Sequence, residues 1–171
     1  MANIKAAQVA ATFFFVGHLK PAPGTWGSLA GALLALPIIV HGGVVALGLA
    51  AVIAFAVGLW ATRLVAGPAN HDPSEIVIDE VAGQFVALVP LAWFYHAAER
   101  PEAILYLGLG VGFALFRLFD IWKPWPVSWA DRREDAMGVM LDDVIAGFMA
   151  ALVVLLASLG LAALAIGSVY G

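Results

Sequence analysis

Two pairs of adjacent carboxylates stand where apolar stretches of the chain begin. Asp79-Glu80 precedes one stretch, Asp142-Asp143 precedes another, and Asp120 ends a third. Charged side chains near hydrocarbon are costly, and carboxylates that are brought together repel one another. A cation among them would relieve the repulsion, and Mg²⁺ suits because it takes hard oxygen ligands and retains water or phosphate oxygens. All five acids are therefore candidate magnesium ligands, although the helix macrodipole alone would account for a single pair.

Three charged residues farther along the chain are spaced for a common helix face. Arg117, Asp120 and Lys123 lie three residues apart, so they project from the same side of a helix. One interpretation is a salt-bridge ladder. The other is a phosphate clamp, in which Arg117 and Lys123 hold phosphoryl oxygens while Asp120 holds the metal.

The segment from Gly24 to Ser28 leads directly into an apolar helix. Backbone amides at a helix start, together with the hydroxyls of Thr25 and Ser28, form a candidate phosphate site. Turns of this composition also open many helices that bind nothing. In a later charged stretch, Arg132 either faces solvent or meets anionic lipid headgroups.

The amino-acid composition indicates whether these residues lie in a soluble or a membrane protein. The chain has 171 residues, of which 63% are hydrophobic and 12% charged, whereas about a quarter of residues in soluble domains are charged. It contains no cysteine, which excludes a disulfide framework and a cysteine-nucleophile phosphatase. The net charge of −4 gives no reason to expect a nucleic-acid partner. We expect one membrane-embedded domain over residues 1–171.

The uncharged stretches and their breaks predict an all-α integral membrane bundle with about five membrane-embedded helices, preceded by a short N-terminal helix. A bilayer is crossed by about 20 residues, so the uncharged run after Gly24 is too long for one crossing and should turn at His41-Gly42-Gly43. The predicted helices are Thr25 to Val40, Val44 to Ala66, Ser74 to Tyr95, Ala103 to Trp122 and Leu141 to Tyr170.

Five crossings would place the basic residues on one face of the membrane. The loops near Lys20, Asp72 and Arg132 then share a face, and those near His41 and Glu99 share the other. The positive-inside rule makes the first face cytoplasmic. Its basic residues are Lys5, Lys20, Arg63, Arg117, Lys123, Arg132 and Arg133, against Arg100 alone on the other face.

The sequences around the two acid pairs resemble each other. Each pair is preceded by apolar residues and followed by a glycine one turn later, Gly83 in one case and Gly147 in the other. We interpret this as a weak internal repeat that brings the two pairs together on parallel helices. Glycine at these positions would let the helices approach closely.

Four motifs, taken together, resemble the phosphatidylglycerophosphatase A family. They occur in the family's order over most of the chain from Pro23 to Gly147. They are Pro23-Gly24-Thr25-Trp26-Gly27-Ser28, Ile78-Asp79-Glu80 with Gly83, Phe116-Arg117 through Asp120 to Lys123-Pro124-Trp125-Pro126, and Gly138-Val139-Met140-Leu141-Asp142-Asp143 with Ala146-Gly147.

The resemblance implies an all-helical enzyme that uses Mg²⁺ to hydrolyse phosphatidylglycerophosphate to phosphatidylglycerol at the bacterial cytoplasmic membrane. It also implies that Asp79, Glu80, Asp120, Asp142 and Asp143 hold the metal. Arg117 and Lys123 would neutralise the phosphoryl charge, and either Asp79 or Asp143 would act as the base. A phospho-aspartyl intermediate remains an open variant.

Two other classes of protein compete with the enzyme. An ion-coupled transporter would also carry intramembrane acids and a repeat, but its acids should follow a path through the bilayer rather than gather at helix ends. A structural membrane subunit would leave five clustered carboxylates without a purpose.

Overall fold

The computed structural model describes residues 2–66, 73–97 and 102–170, with side chains described as far as residue 160. All regular structure within these ranges is helical, which confirms the predicted all-α fold. Three residues used above to assign the two faces, Asp72, Glu99 and Arg100, lie outside the described residues. The elements in chain order are α1 (Ala2–Ala11), a 3-10 turn (Val16–His18), α2 (Pro23–Val65), α3 (Ile78–Ala97), α4 (Glu102–Trp122), α5 (Val127–Asp131) and α6 (Ala136–Tyr170).

The long helix α2 contains a break at Gly43. The backbone there has φ 65° and ψ −159°, a conformation that glycine adopts without the steric cost borne by other residues. Nε2 of His96, near the end of α3, lies 2.7 Å from the carbonyl oxygen of Ile39 and ties the break to that helix. The break predicted at His41-Gly42-Gly43 is therefore confirmed.

Contacts with α3 show that the two halves of α2 run in opposite directions. A Cβ added to Gly27 would lie 2.7 Å from the Cβ of Val77, and one added to Gly58 would lie 3.0 Å from the side chain of Ile78. Both contacts are at the beginning of α3, whereas Gly43 lies against its end. The first half of α2 therefore runs along α3 and the second half returns, as two of the predicted helices require.

The helices α3 and α6 lie side by side in the same direction, with glycines at their contact. A Cβ on Gly147 would lie 2.3 Å from the carbonyl oxygen of Gly83, and one on Gly83 would lie 2.5 Å from the carbonyl oxygen of Asp143. Val86, farther along α3, also lies against Gly147. The predicted parallel approach is present, and it brings the two acid pairs to the same end of the bundle.

The start of α6 differs from the prediction. The helix begins at Ala136 rather than Leu141, because the carboxylate of Asp135 accepts a hydrogen bond of 2.8 Å from the backbone N–H of Gly138 and caps the first turn. Asp142 and Asp143 consequently lie in the second turn of α6. Macrodipole stabilisation falls off within the first turn, so it explains these two acids less well than the sequence indicated.

The helix α4 runs antiparallel to α3 and returns the chain to the acidic end. A Cβ on Gly112 would lie 2.6 Å from the side chain of Leu88, and Phe116 lies against Gly83, nearer the start of α3. The helix stops at Trp122, as predicted. The next residue, Lys123, has φ 48° and precedes a proline, so the helix cannot continue.

The outside of the bundle is apolar. Large aliphatic and aromatic side chains on α2, α4 and α6 are exposed, among them Leu33, Val52, Leu107 and Phe148. Three helical segments of the described chain are long and apolar enough to cross a membrane: Pro23–Val65, Glu102–Trp122 and Ala136–Gly160. An exposed apolar surface of this kind is stable in lipid, so the chain has the construction of an integral membrane protein.

Candidate active site

Three carboxylates from two helices converge at the acidic end of the bundle. Asp79 and Glu80 in α3 and Asp143 in α6 each offer an oxygen within 4.8 Å of the others, and we call them the carboxylate trio. Oδ1 of Asp79 accepts a hydrogen bond of 3.0 Å from the backbone N–H of Glu80. Within the described part of the chain, Glu80 Oε2 and Asp143 Oδ1 are buried without a hydrogen-bond partner. Because such burial is unfavourable unless a cation or donor compensates it, the trio suits a divalent cation.

The other two predicted ligands are each paired with a basic side chain. Arg117 Nη1 lies 2.5 Å from Asp120 Oδ2, and Lys123 Nζ lies 2.8 Å from Asp142 Oδ2. The predicted ladder on α4 is therefore present at Arg117 and Asp120, while Lys123 reaches across to α6. The structure brings all five acids to one site. Three of them form the trio, while Asp120 and Asp142 are ion-paired, and the carboxyl group of Asp120 also contacts that of Asp143.

Lys123 joins α5 to α6 as well as facing the site. Its ammonium donates hydrogen bonds to Asp131 and Asp142. Burial by itself would lower the pKa of Lys123, but the two carboxylates outweigh burial and raise that pKa above its usual value. The ammonium therefore stays charged at neutral pH.

Arg117 has both fixed and available donors. Its Nη1 donates to Ser28 Oγ at 3.3 Å, and the Ser28 hydroxyl donates to the carbonyl oxygen of Gly24 at 2.7 Å. Its Nε is buried and lacks a partner among the residues that the structure describes. The guanidinium is thus oriented by Asp120 and Ser28 while it retains an N–H for an anionic oxygen.

These side chains surround a cavity of about 220 Å³. All five predicted carboxylates line it, together with Arg117 and Lys123, and Gly24 and Ser74 form part of the wall. A Cβ on Gly24 would lie 2.1 Å from Oε1 of Glu80. The absence of a side chain at Gly24 therefore leaves room for the Glu80 carboxylate at the start of α2.

Three residues predicted to bind substrate do not line this cavity. The backbone N–H of Thr25 is bonded to the carbonyl oxygen of Ala22, and Ser28 is completely buried with its hydroxyl engaged. Arg132 is exposed just after α5. In the structure Ser28 positions Arg117, while Thr25 and Arg132 remain outside the wall of the cavity.

Two residues of the candidate site were not predicted from the sequence. Asp131 pairs with Lys123, but the two are separated by a proline-containing turn, so helical periodicity gave no signal. Ser74 lines the cavity from the segment before α3. The preceding proline predicted a helix start at Ser74, but α3 begins only at Ile78. Ser74 lies in the turn before the helix, and nothing in the spacing indicated that it lines the cavity.

The fold and site define a class of integral membrane protein. Its helices bring together, at one end, a cluster of carboxylates that could hold a metal ion and two basic side chains. Comparison with known proteins narrows this class. Residues 9–158 match the family described as Phosphatidylglycerophosphatase A, and the chain belongs to that family. The resemblance drawn from the four motifs is therefore confirmed.

Three relatives illustrate the match. The phosphatidylglycerophosphatase A of Haemophilus influenzae is 37% identical over 146 residues, which is 82% of either chain. That of Escherichia coli is 34% identical over 148 residues, covering 80% of this chain and 75% of the relative. A putative phosphatidylinositol-3-phosphatase of Bacteroides thetaiotaomicron is 31% identical over 145 residues, covering 80% and 83%. No solved structure matches the chain.

Proposed function

We propose that this protein hydrolyses phosphatidylglycerophosphate to phosphatidylglycerol and inorganic phosphate, with Mg²⁺ held by the carboxylate trio. The observation that carries the proposal is one cavity of about 220 Å³ in which unpartnered carboxylate oxygens face two basic side chains. Acids alone would repel a phosphate monoester. Acids with a divalent cation, beside an arginine and a lysine, would attract it. The activity agrees with the family to which the chain belongs.

The trio fits a magnesium ion in its donor chemistry. It supplies hard oxygen ligands from Asp79, Glu80 and Asp143, and the buried Glu80 Oε2 and Asp143 Oδ1 have no partner elsewhere in the described protein. When bound, Mg²⁺ would lower the pKa of a coordinated water and offset phosphoryl charge. Asp120 and Asp142 line the same cavity, and they orient the trio and the two basic side chains through their ion pairs rather than binding the ion.

The two basic residues have separate parts in binding the phosphoryl group. Arg117, fixed by Asp120 and Ser28 through Nη1, lines the cavity and offers its remaining N–H groups to an equatorial oxygen. Lys123, held by Asp131 and Asp142, exchanges one of these carboxylate partners for a phosphoryl oxygen. Together they neutralise charge on the phosphoryl group while its bond to the glycerol oxygen breaks.

One carboxylate accepts the proton of the attacking water. Asp79 and Asp143 are the candidates, since both belong to the trio at the cavity. The water oxygen forms the new bond to phosphorus, its proton passes to the carboxylate, and the glycerol oxygen leaves with a proton regained from solvent. In the alternative, a carboxylate oxygen attacks phosphorus and displaces the glycerol oxygen, which takes a proton from solvent. Water then attacks the phospho-aspartyl phosphorus, releasing inorganic phosphate and the free carboxylate.

The lipid would reach this site without leaving the bilayer. Trp122, Trp125 and Trp129 are exposed near the acidic end, where indole rings favour the boundary between headgroups and tails. The apolar flanks of α4 and α6 would face the acyl chains. Since the site lies among helix ends rather than at mid-helix, only the headgroup needs to enter it.

We further propose that the chain crosses the bacterial inner membrane with this end toward the cytoplasm. Arg117, Lys123, Arg132 and Arg133 gather at the acidic end, and the positive-inside rule assigns such an end to the cytoplasm. The two halves of α2, with α3, α4 and α6, then make about five membrane-embedded segments.

Phosphate release from defined lipids tests the proposed activity. Purified protein in detergent is given phosphatidylglycerophosphate, phosphatidic acid or phosphatidylinositol 3-phosphate, each with Mg²⁺. The proposal predicts fastest release from phosphatidylglycerophosphate. Faster release from phosphatidylinositol 3-phosphate would replace the substrate, and release from none of them by a folded sample that binds divalent metal would favour an ion transporter.

A further inference from the structure

A seam of buried polar groups continues inward from the carboxylate trio between α2 and α3. Glu80 and Gln84 are four residues apart, so they share one face of α3. On the facing side of α2, a Cβ on Gly24 would lie 2.1 Å from Glu80 Oε1 and one on Gly31 would lie 3.2 Å from Gln84 Cβ. The two side chains therefore lie one below the other along a single helix contact, with Ser28 between the glycines.

A glutamine is energetically unfavourable at position 84. Its side chain is completely buried, and neither Oε1 nor Nε2 of its amide has a hydrogen-bond partner among the described residues. An unpaired buried amide opposes folding, whereas methionine would fill similar space without that cost. Packing alone therefore does not account for glutamine here.

The neighbouring Glu80 carboxylate lacks a hydrogen-bond donor. Its Oε2 is also buried without a partner in the described structure, and an ionised carboxylate accepts hydrogen bonds only. The Ser28 hydroxyl is already committed to Gly24. The Gln84 amide can donate, and Gln84 follows Glu80 by one turn on the same face of α3.

We infer that Gln84 is a positioning residue for the carboxylate trio. When Glu80 holds a divalent cation through one oxygen, the N–H of the Gln84 amide donates to the other, directly or through one water molecule. This bond fixes the carboxylate and increases its affinity for the ion. The inference rests on the proposed function only in that the trio binds a divalent metal.

Mn²⁺ binding tests the inference without requiring lipid turnover. Gln84→Met in the full-length detergent-purified protein removes the amide while keeping side-chain length. The matched control is Thr62→Val, which removes another completely buried polar atom without a described partner, the hydroxyl of Thr62. Electron paramagnetic resonance of free Mn²⁺ gives the dissociation constant, and circular dichroism gives the metal-free melting temperature.

We expect Gln84→Met to weaken Mn²⁺ binding about tenfold or more, as loss of an outer-shell partner does, while its metal-free melting temperature equals or exceeds that of the wild type. Thr62→Val should bind Mn²⁺ normally. Wild-type affinity in Gln84→Met, or equal weakening in both variants, would overturn the inference. If Gln84→Met does not fold, Gln84→Asn, whose amide is one methylene short of Glu80, should show the same weakening, and normal binding there would overturn it.

The Mn²⁺-binding test of Gln84 and the phosphate-release test of the proposed function have different outcomes if only one of the two ideas is wrong. A wild-type protein that binds Mn²⁺ but releases no phosphate from any lipid would contradict the proposed reaction and leave the Gln84 comparison valid. A wild-type protein that binds no Mn²⁺ would contradict the inference itself.

Discussion

The two ends of the helical bundle differ in how their polar groups are satisfied. At the end opposite the trio, His41, Trp93 and His96 border a cavity of about 480 Å³, more than twice the volume at the acidic end. No carboxylate of the described chain lines that larger space. His96 is engaged with the carbonyl oxygen of Ile39 and holds the break in α2. Size therefore does not identify the active site.

At the acidic end, by contrast, the protein leaves charged groups incompletely paired. Glu80 Oε2, Asp143 Oδ1 and Arg117 Nε are all buried and without partners in the described residues. A structural cluster would be expected to satisfy such groups, because leaving them unpaired opposes folding. We therefore assign a structural role to the end at His96 and propose a ligand-binding role for the acidic end.

The largest expected effect comes from removing charge in the trio. Asp79→Asn should reduce phosphate release by about 10²–10⁴-fold, because it removes either a metal ligand or the base. The protein should remain folded, since the neutral amide keeps the size of the side chain. Initial rates with saturating Mg²⁺, beside circular dichroism spectra, measure both effects. Wild-type turnover would eliminate Asp79 from the mechanism.

A smaller loss is expected where the backbone makes room for the trio. Gly24→Ala places a methyl group 2.1 Å from Glu80 Oε1 and should displace that carboxylate, lowering activity by about 10- to 100-fold. The matched control is Gly110→Ala on α4, where a Cβ meets nothing described within 4 Å. Equal activity in the two variants would show that Gly24 does not set the position of Glu80.

Asp131 should have a modest effect, because its pair with Lys123 is partly exposed. Asp131→Asn frees Lys123 from one of its two carboxylates and should change the KM for lipid by less than about fivefold, in line with the small energies of exposed ion pairs. Asp135→Asn, in another exposed ion pair with Arg133, controls for charge near the site. A loss of more than a hundredfold in Asp131→Asn would place Asp131 within the catalytic machinery.

Changes at the opposite end should act on stability alone. Gly43→Ala forces alanine into a backbone with φ 65° and should lower the free energy of unfolding by about 1 kcal/mol or more. Activity per folded molecule should be unchanged, because the site is at the other end of α3. Thermal unfolding in detergent, with phosphate release normalised to folded protein, checks this. Reduced kcat at normal folded content would contradict the division between the two ends.

Much of this arrangement could be predicted from sequence because local features determine it. Glycines at 42–43 within an uncharged run predicted the break in α2, and Gly83 and Gly147 predicted the close parallel helices. The prolines after Lys123 predicted the end of α4. Acid pairs beside apolar stretches predicted that the carboxylates cluster, since charge near hydrocarbon is costly unless it is compensated.

The remaining features depend on which side chains meet in three dimensions. The helix α6 starts earlier in the chain than predicted because Asp135 caps it. A capping residue is hard to distinguish from sequence within a charged stretch. The ion pair between Lys123 and Asp142 forms because the Lys123 side chain turns from the end of α4 toward α6. Helical spacing predicted that Lys123 lies beside Asp120. No local feature of the sequence indicated that its side chain pairs with Asp142 on another helix.

In the proposed site the carboxylate trio, rather than all five acids, binds the divalent cation. Mn²⁺ titration of Asp143→Asn and Asp142→Asn tests it directly, because these neighbours on α6 differ chiefly in whether a lysine neutralises them. The account predicts that Asp143→Asn weakens binding by at least about tenfold, while Asp142→Asn remains close to the wild type. Equal weakening in the two variants, or a larger loss in Asp142→Asn, would contradict it.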